Sequence, residues 1–160
     1  MITSDKFAVL RDLSFFKEFA DDELQTFLSI CAEKVLKEGE KVFLEGSIGE
    51  EFFIIVSGQV AIVKESDSGE RQLLTVLERG GVFGEMSIID NSPRSACAEV
   101  IDSNAELLIV KKKFLEDLSK RNLDLSVKLI LTLIQFISER LRMTSERFAF
   151  AQSTLKNLEG

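Results

Sequence analysis

Residues 80–100 contain side chains and a backbone pattern that together could bind an anion. Gly84 permits a positive φ angle or the close approach of a ligand to the backbone. Residues 85–89 can form one or two helical turns, whose first N–H groups lack partners and lie at the positive end of the helix dipole. Arg94 carries a planar, permanently charged fork that suits phosphate oxygens, and Ser95 adds a hydroxyl donor. These residues predict a phosphate site.

Glu85 needs a separate explanation, because a carboxylate beside a phosphate site is unfavourable when phosphate is the whole ligand. An ionised carboxylate only accepts hydrogen bonds, so a ligand that also carries a sugar hydroxyl would suit both Glu85 and Arg94. The alternative interpretation is a surface ion pair between Glu85 and Arg94 beside a tight turn. Such pairs are common and contribute little to stability. From the residue types alone, the ion pair is the simpler interpretation.

A series of short β-rich runs separated by glycines must position these residues. The runs cover residues 41–44, 52–57, 59–65, 71–77, 94–100 and 105–111. Ser57-Gly58 and Asp67-Ser68-Gly69 are typical turn sequences between them. Many short strands at nearly even spacing predict an antiparallel jelly-roll β-barrel over residues 33–111 rather than alternating βαβ units.

Helical patterns flank the predicted barrel and make the chain an α+β protein that is mainly β. Asp21 is a candidate N-cap for an N-terminal helix within residues 1–32, with further acidic residues in its first turn. A short helix is predicted over 112–121, and residues 1–122 are predicted to form one domain. A long helix is predicted over 123–160.

The long helix has two apolar faces and therefore needs two partners. One face follows a heptad pattern with steps of four and three, formed by Leu123, Val127, Ile130, Ile134, Ile137, Leu141, Thr144 and Phe148. The second face includes Leu129, Leu133 and Phe136. The barrel can cover one face, and a second copy of the helix is the simplest partner for the other. The sequence therefore predicts a homodimer.

The composition argues against several classes of function. A net charge of −7 argues against binding of nucleic acid by this chain itself, and the isolated lysine run at 111–113 is interpreted as a solvated helix start. The absence of histidine excludes His-based triads and His metal sites. Cys31 and Cys97 are interpreted as buried free thiols in a reducing compartment. Without a secretory signal or a membrane-spanning run, the expectation is a cytoplasmic protein with neither metal nor membrane partner.

Two motifs resemble the cyclic nucleotide-binding domain family. Phe-Gly-Glu at 83–85 and Pro-Arg-Ser-Ala at 93–96 resemble its phosphate-binding cassette. The interval between Glu85 and Arg94 matches the one in protein kinase A regulatory subunits. The run EGEKVFLEGSIGEEFFIIVSGQVAIV at 38–63 is similar to the barrel strands and glycine turns of that family. This resemblance reverses the preference for an ion pair and favours the ligand site.

The resemblance implies a role for each cassette residue. The phosphate lies on the short helix after Gly84, and its contacts are Met86, Ser87, Arg94 and Ser95. The ribose contacts are Gly84 and Glu85, and the carboxylate of Glu85 holds the 2′-hydroxyl.

The run ERLRMTSERF at 139–148 is similar to the dimerisation helix of the bacterial catabolite activator protein family. In that family a Thr-Ser pair on this helix contacts the adenine, one residue from each subunit, which implies Thr144 and Ser145 here. Thr144 is also a polar residue on an apolar heptad face, so the setting of register is another interpretation. No counterpart of that family's helix-turn-helix follows within the 160 residues, so transcription control does not carry over.

The function implied is a sensor that binds cyclic AMP and signals through its C-terminal helix without catalysis. A hydroxyl after the cassette arginine, as at Ser95, also occurs in domains that accept cyclic GMP, so a cyclic GMP sensor is an alternative. An oligomerisation or docking module with a vestigial pocket is another. Jelly-roll enzymes rely on histidine-rich metal sites, which makes an enzyme the least favoured class.

Overall fold

The computed structural model describes residues 4–66 and 68–159. Asp67 of the predicted Asp-Ser-Gly turn, and residues 1–3 and 160 of the predicted terminal helices, lie outside the described residues. The helices are α1 (Ser4–Arg11), α2 (Asp21–Ser29), α3 (Glu85–Asp90), α4 (Lys112–Arg121) and α5 (Leu123–Glu159), with a 3-10 turn at Ser14–Phe16. The strands are β1 (Ala32–Lys37), β2 (Lys41–Phe43), β3 (Glu51–Ser57), β4 (Val60–Glu65), β5 (Arg71–Leu77), β6 (Val82–Phe83), β7 (Cys97–Val100) and β8 (Asn104–Lys111).

The strands form two four-stranded antiparallel sheets, in the orders β1-β8-β3-β6 and β2-β7-β4-β5. The predicted antiparallel jelly roll is therefore confirmed, although the sheets do not close into a continuous barrel. The predicted turn at Ser57-Gly58 connects β3 in one sheet to β4 in the other, whereas β4 and β5 form a hairpin within one sheet.

β3 supplies side chains to two separate cores, because alternate residues of a strand point to opposite faces of the sheet. Phe52, Ile54 and Val56 belong to a cluster shared with the N-terminal helices and α5. Phe53 and Ile55 belong to a second cluster between the two sheets. Both faces of this central strand are buried, which fixes its register against one-residue slippage.

Helix α5 packs on the molecule along its first half only. Leu125, Leu129 and Leu133 are buried in the helical core, which confirms the predicted inner face. Ile134, on the predicted heptad face, is about half exposed, and residues 141–157 are all exposed. The heptad face is therefore largely exposed within the described residues, with only Ile137 partly buried.

Two local predictions at element boundaries are wrong. Asp21 is not the N-cap but the first helical residue, and the preceding Ala20 N–H donates to Glu23 Oε2 at 2.8 Å. The strand predicted from Arg94 begins only at Cys97. The reason is that the Arg94 N–H donates to Ser47 O at 2.8 Å, so the backbone there pairs with a turn instead of a strand.

Cys31 and Cys97 are free thiols, as predicted, and Cys97 is buried. The prediction of burial is wrong for Cys31, which follows α2 closely and is partly exposed, with its thiol donating to Phe27 O. Within residues 4–66 and 68–159, no helix has a long enough apolar stretch to cross a bilayer.

Candidate functional site

Gly84 immediately precedes α3 and adopts φ 79° and ψ 2°. A Cβ atom added at this position would lie 2.6 Å from Arg94 Nη1. Glycine is therefore required twice, for the left-handed backbone and for the close approach of a guanidinium. The sequence prediction of a positive φ at Gly84 followed by a short helix is confirmed.

Arg94 is held rigidly in the interior, with only 4% of its surface exposed. Its Nη1 donates to Gly84 O and its Nη2 donates to Glu51 O, each at 2.7 Å. The guanidinium carbon lies 4.2 Å from the Phe43 ring centroid and 5.7 Å from that of Phe53, in cation–π geometry. The result is a fixed positive charge beside the start of α3.

Burial lowers the pKa of Arg94, and the nearby carboxylates of Glu51 and Glu85 act in the opposite direction. The ordinary pKa of arginine is so high that the side chain keeps its proton in proteins. Arg94 is therefore a permanent cation in a desolvated position, where an anion would interact with it strongly.

Glu85 is also buried, with 2% of its surface exposed. Its Oε1 accepts a hydrogen bond from Arg140 Nη1 at 2.9 Å, and Arg140 Nη2 also donates to Val82 O. The surface ion pair between Glu85 and Arg94, weighed above as an alternative, is therefore wrong: both side chains are internal, and Glu85 is paired to a residue of α5 instead.

Two buried side-chain polar atoms lack a hydrogen-bond partner in the described part of the chain, and both belong to this site. They are Glu85 Oε2, an acceptor, and Arg94 Nε, a donor. A buried polar group without a partner costs about 1–3 kcal/mol, so native proteins leave few of them. A ligand that offers a hydroxyl to Glu85 and an anionic oxygen to Arg94 would satisfy both atoms.

The remaining cassette residues divide into a buried group and a rim. Ser87 is buried against the β2–β3 segment, where a Cβ added to Gly49 would lie 2.7 Å from Ser87 Cβ and 2.6 Å from Arg94 Nε. Met86 is half exposed, and Ser95 is exposed, with its carbonyl accepting from Lys64 Nζ at 2.8 Å. The structure thus places Met86 and Ser95 at the edge of the site.

Thr144 and Ser145 lie further along α5 and are exposed. Thr144 Oγ1 donates to Arg140 O at 2.8 Å, so Thr144 follows Arg140 by one helical turn on the same face. Arg140 contacts Glu85, so Thr144 lies one turn beyond the residue of α5 that reaches the cassette. Ser145 lies roughly 100° further around the helix. Within residues 4–66 and 68–159, neither hydroxyl forms a hydrogen bond to the cassette.

An open cavity of about 940 Å³ reaches Arg94 from the side of α4, and its lining includes Phe43, Glu51 and Lys120 but not Glu85. Glu85 Oε1 is already paired with Arg140 Nη1. The cavity is therefore lined by one of the two side chains that carry an unsatisfied buried atom, Arg94, and not by the other.

The sequence prediction missed several residues that build the site. Arg140, Glu51, Phe43 and Gly49 all contact or closely approach Arg94 or Glu85. Helical periodicity could have identified Arg140, because it lies four residues before Thr144. Nothing local marks the other three, which act through contacts between distant segments. Within the described ranges, no cluster of three potential metal ligands is present.

Comparison with known proteins agrees with this geometry. Residues 33–122, more than half of the chain, match the family described as "Cyclic nucleotide-binding domain". The cyclic AMP receptor protein of Thermus thermophilus is 28% identical over 100 residues, which cover 62% of this chain and 46% of that protein. The cGMP-dependent protein kinase of Eimeria tenella is 26% identical over 157 residues, which cover 98% of this chain and 14% of the kinase.

The chain spans less than half the length of these two curated relatives. Among solved structures, a cyclic nucleotide-binding domain from Methylobacillus flagellatus superposes with a TM-score of 0.79 at 23% identity, over 88% of this chain and 79% of that one. This likeness shows the shared fold. Since the family match includes the strands, α3 and Arg94, the chain belongs to the cyclic nucleotide-binding domain family.

Proposed function

We propose that this chain is a regulatory sensor of cyclic AMP that signals through α5 and is not a catalyst. The observation that carries this proposal is the pair of unsatisfied buried atoms at one site, the donor Arg94 Nε and the acceptor Glu85 Oε2. A nucleoside cyclic phosphate supplies the complementary groups, an anionic phosphate oxygen and a ribose 2′-hydroxyl.

The charges at the site favour a phosphodiester over a phosphomonoester. Arg140 forms an ion pair with Glu85, whereas Arg94 is a buried cation that forms no ion pair among the described residues, although the carboxylates of Glu51 and Glu85 lie near enough to act on it. A cyclic 3′,5′-phosphate carries one negative charge, whereas a terminal phosphate carries about 1.5 to 2 at neutral pH. An additional buried negative charge would remain unpaired, at a large desolvation cost. This balance supports cyclic nucleotides over 5′-AMP.

The proposed assignment to cyclic AMP depends on Thr144 and Ser145. Both hydroxyls are exposed on α5, and Thr144 lies one turn beyond Arg140, the residue of α5 that reaches the cassette. In this proposal Thr144 contacts the adenine of one site and Ser145 the adenine bound by the partner subunit. Ser95, exposed after the cassette arginine, and the similarity to a kinase named for cyclic GMP make cyclic GMP the competing ligand.

Helix α5 is the proposed output element and homodimer interface. Its heptad face is largely exposed within the described residues, and an isolated helix is marginally stable in water. Arg140 connects the cassette directly to this helix. A ligand that binds one arrangement of α5 more tightly shifts the population towards it. We further propose a cytoplasmic setting, in which the thiols of Cys31 and Cys97 stay reduced.

Isothermal titration calorimetry with cyclic AMP, cyclic GMP and 5′-AMP tests the ligand assignment. We expect cyclic AMP to bind most tightly and 5′-AMP to bind at least about thirtyfold more weakly, equivalent to about 2 kcal/mol. The absence of binding by either cyclic nucleotide would refute the sensor, and tighter binding of cyclic GMP would reassign its ligand. Thr144→Ala should weaken cyclic AMP more than its inosine analogue; equal losses would indicate that Thr144 sets the helix register.

The ribose contact has its own test. Glu85→Gln should weaken the binding of cyclic AMP. In contrast, 2′-deoxy cyclic AMP should bind the variant and the wild type with similar affinity, because it lacks the hydroxyl that would donate a hydrogen bond to Glu85. Equal loss of affinity for both ligands would exclude Glu85 as the ribose contact.

Sedimentation equilibrium tests the dimer. Ile134→Asp places a charge on the heptad face, and Gln135→Asp places the same charge on an adjacent exposed position. We expect only Ile134→Asp to yield monomers, because a buried unpaired carboxylate opposes association. Dimers of equal stability in both variants would exclude this helix face as the interface.

A further inference from the structure

Lys112 connects the end of the cassette helix to the start of α4. Its Nζ donates a hydrogen bond to Asn91 Oδ1, and its backbone N–H donates to Glu50 O at 2.8 Å. Lys112 is the first residue of α4, and Asn91 is the residue that follows α3. One side chain therefore joins two helices that are separated by strands β7 and β8 in the sequence.

One partner of this contact is an unfavourable choice for its local position. The first turn of α4 contains Lys112 and Lys113 without an acidic residue, although positive charge is unfavourable at a helix N-terminus. Asn91, in contrast, suits its position, because it has φ 56° at the end of α3 and asparagine tolerates left-handed backbone. A lysine that deviates from local preference and donates to the end of α3 indicates that the hydrogen bond itself has a role.

Helix α3 is also fixed to the helical core by an apolar side chain. Ile88 belongs to the same buried cluster as Leu118 of α4 and Leu125 of α5. Helix α4 is joined to α5 through Asn122, whose N–H donates to Leu118 O at 2.8 Å and whose Oδ1 accepts from Leu125 N at 3.1 Å. Packing contacts and hydrogen bonds therefore connect the end of α3 to α4, and α4 to α5.

We propose that Lys112 and Asn91 form a clasp that holds the C-terminal end of α3 against α4, and that Lys112 is a positioning residue for the nucleotide site. The clasp orients α3, so that its first amides and Glu85 face the ligand together with Arg94. This inference rests on the proposed function, because the site that it orients is the proposed cyclic nucleotide site.

The first test needs no ligand and compares neighbouring lysines. Lys112→Met keeps an unbranched side chain of similar size and removes its charge, and Lys111→Met and Lys113→Met are matched controls at exposed positions. By hydrogen–deuterium exchange, we expect the amides of residues 88–91 to exchange about fivefold faster in Lys112→Met only, the size expected for a partly exposed hydrogen bond to a charged group. Equal exchange in the three variants would overturn the clasp.

The second test measures the affinity for cyclic AMP together with the melting temperature of the ligand-free protein. Lys112→Met should weaken binding about five- to tenfold relative to both controls while its melting temperature stays close to theirs. A lower melting temperature with unchanged affinity would mean that the contact is only structural. If the wild type itself binds no cyclic nucleotide, the proposed function fails, and the exchange experiment still decides whether the clasp exists.

A double-mutant cycle separates the contact from the individual side chains. Asn91→Gly removes the acceptor and keeps a residue that tolerates a positive φ. We expect it to weaken binding as much as Lys112→Met does, and the double variant to be no worse than either single variant. Additive losses of affinity would overturn the clasp, because they would show that the two side chains act independently.

Discussion

Substitution of Gly84 by alanine has two effects, backbone strain and displacement of Arg94. They can be measured separately, because the same substitution at Gly39 should produce the strain alone. Gly84 and Gly39 have nearly the same positive φ, 79° and 81°. An alanine in this conformation costs roughly 1–2 kcal/mol, and its effect on the entropy of the unfolded chain is the same at both sites. A Cβ at Gly39 has no atom within 4 Å, whereas a Cβ at Gly84 lies 2.6 Å from Arg94 Nη1.

The excess effect at Gly84 follows from that distance. To restore ordinary van der Waals separation the guanidinium must retreat by roughly 1 Å, which breaks its 2.7 Å hydrogen bond to Gly84 O. The loss of a buried hydrogen bond to a charged group is worth about 1.5–3 kcal/mol. Gly84→Ala should therefore unfold at a lower urea concentration than Gly39→Ala. The difference between their free energies of unfolding should be about 1.5–3 kcal/mol.

The same displacement moves Arg94 away from the phosphate. By calorimetry, we expect Gly84→Ala to bind cyclic AMP at least about thirtyfold more weakly than Gly39→Ala, equivalent to about 2 kcal/mol. Comparable affinities in the two variants would show that Arg94 does not bind the ligand from this position. Comparable unfolding free energies would show that the guanidinium relaxes without cost.

Two further predictions concern the charged pairs. Arg140→Met leaves Glu85 buried without its partner and should lower the free energy of unfolding by roughly 2 kcal/mol in urea titrations. Arg142→Met, at an exposed position, should not lower it. Equal effects of the two substitutions would show that Arg140 does not stabilise Glu85. A hydrogen bond from Arg71 holds the pKa of Glu99 below its ordinary 4.5. This stabilisation is present above that pH and is lost as the pH falls through the folded-state pKa, so Glu99→Gln should flatten the loss of stability as the pH falls below 4.5. An unchanged acid profile would contradict the pairing.

The elements that could be predicted from the sequence are those whose own residues contain the pattern of apolar and polar positions. Helix α4 has the predicted bounds, because its apolar residues follow helical spacing between two polar ends. The strands missed were β1 and β6. β1 buries only Leu36, and β6 has two residues, so both depend on hydrogen bonds to strands distant in sequence. No local pattern contains that information.

The site divides in the same way. Gly84, Glu85 and Arg94 lie within eleven residues, so their spacing in a known motif was sufficient to bring them together. The contact between Arg140 and Glu85 spans 55 residues, and the one between Arg94 and Glu51 spans 43. These contacts depend on how α5 and β3 pack, and they determine which polar atoms remain for a ligand. The motif predicted the class of ligand, and the tertiary contacts are the basis on which we propose the charge of that ligand.

This distinction resolves an apparent conflict between the acidity of the chain and the anion that we propose it binds. The net charge of −7 acts at long range, where salt screens it beyond roughly 8–10 Å. Arg94 acts at contact distance and in a desolvated position, where screening is weak. A polyanion such as DNA must approach the whole surface and meets the unfavourable long-range field, whereas a small monoanion meets mainly Arg94. An acidic protein can therefore reject nucleic acid and still bind a single phosphodiester.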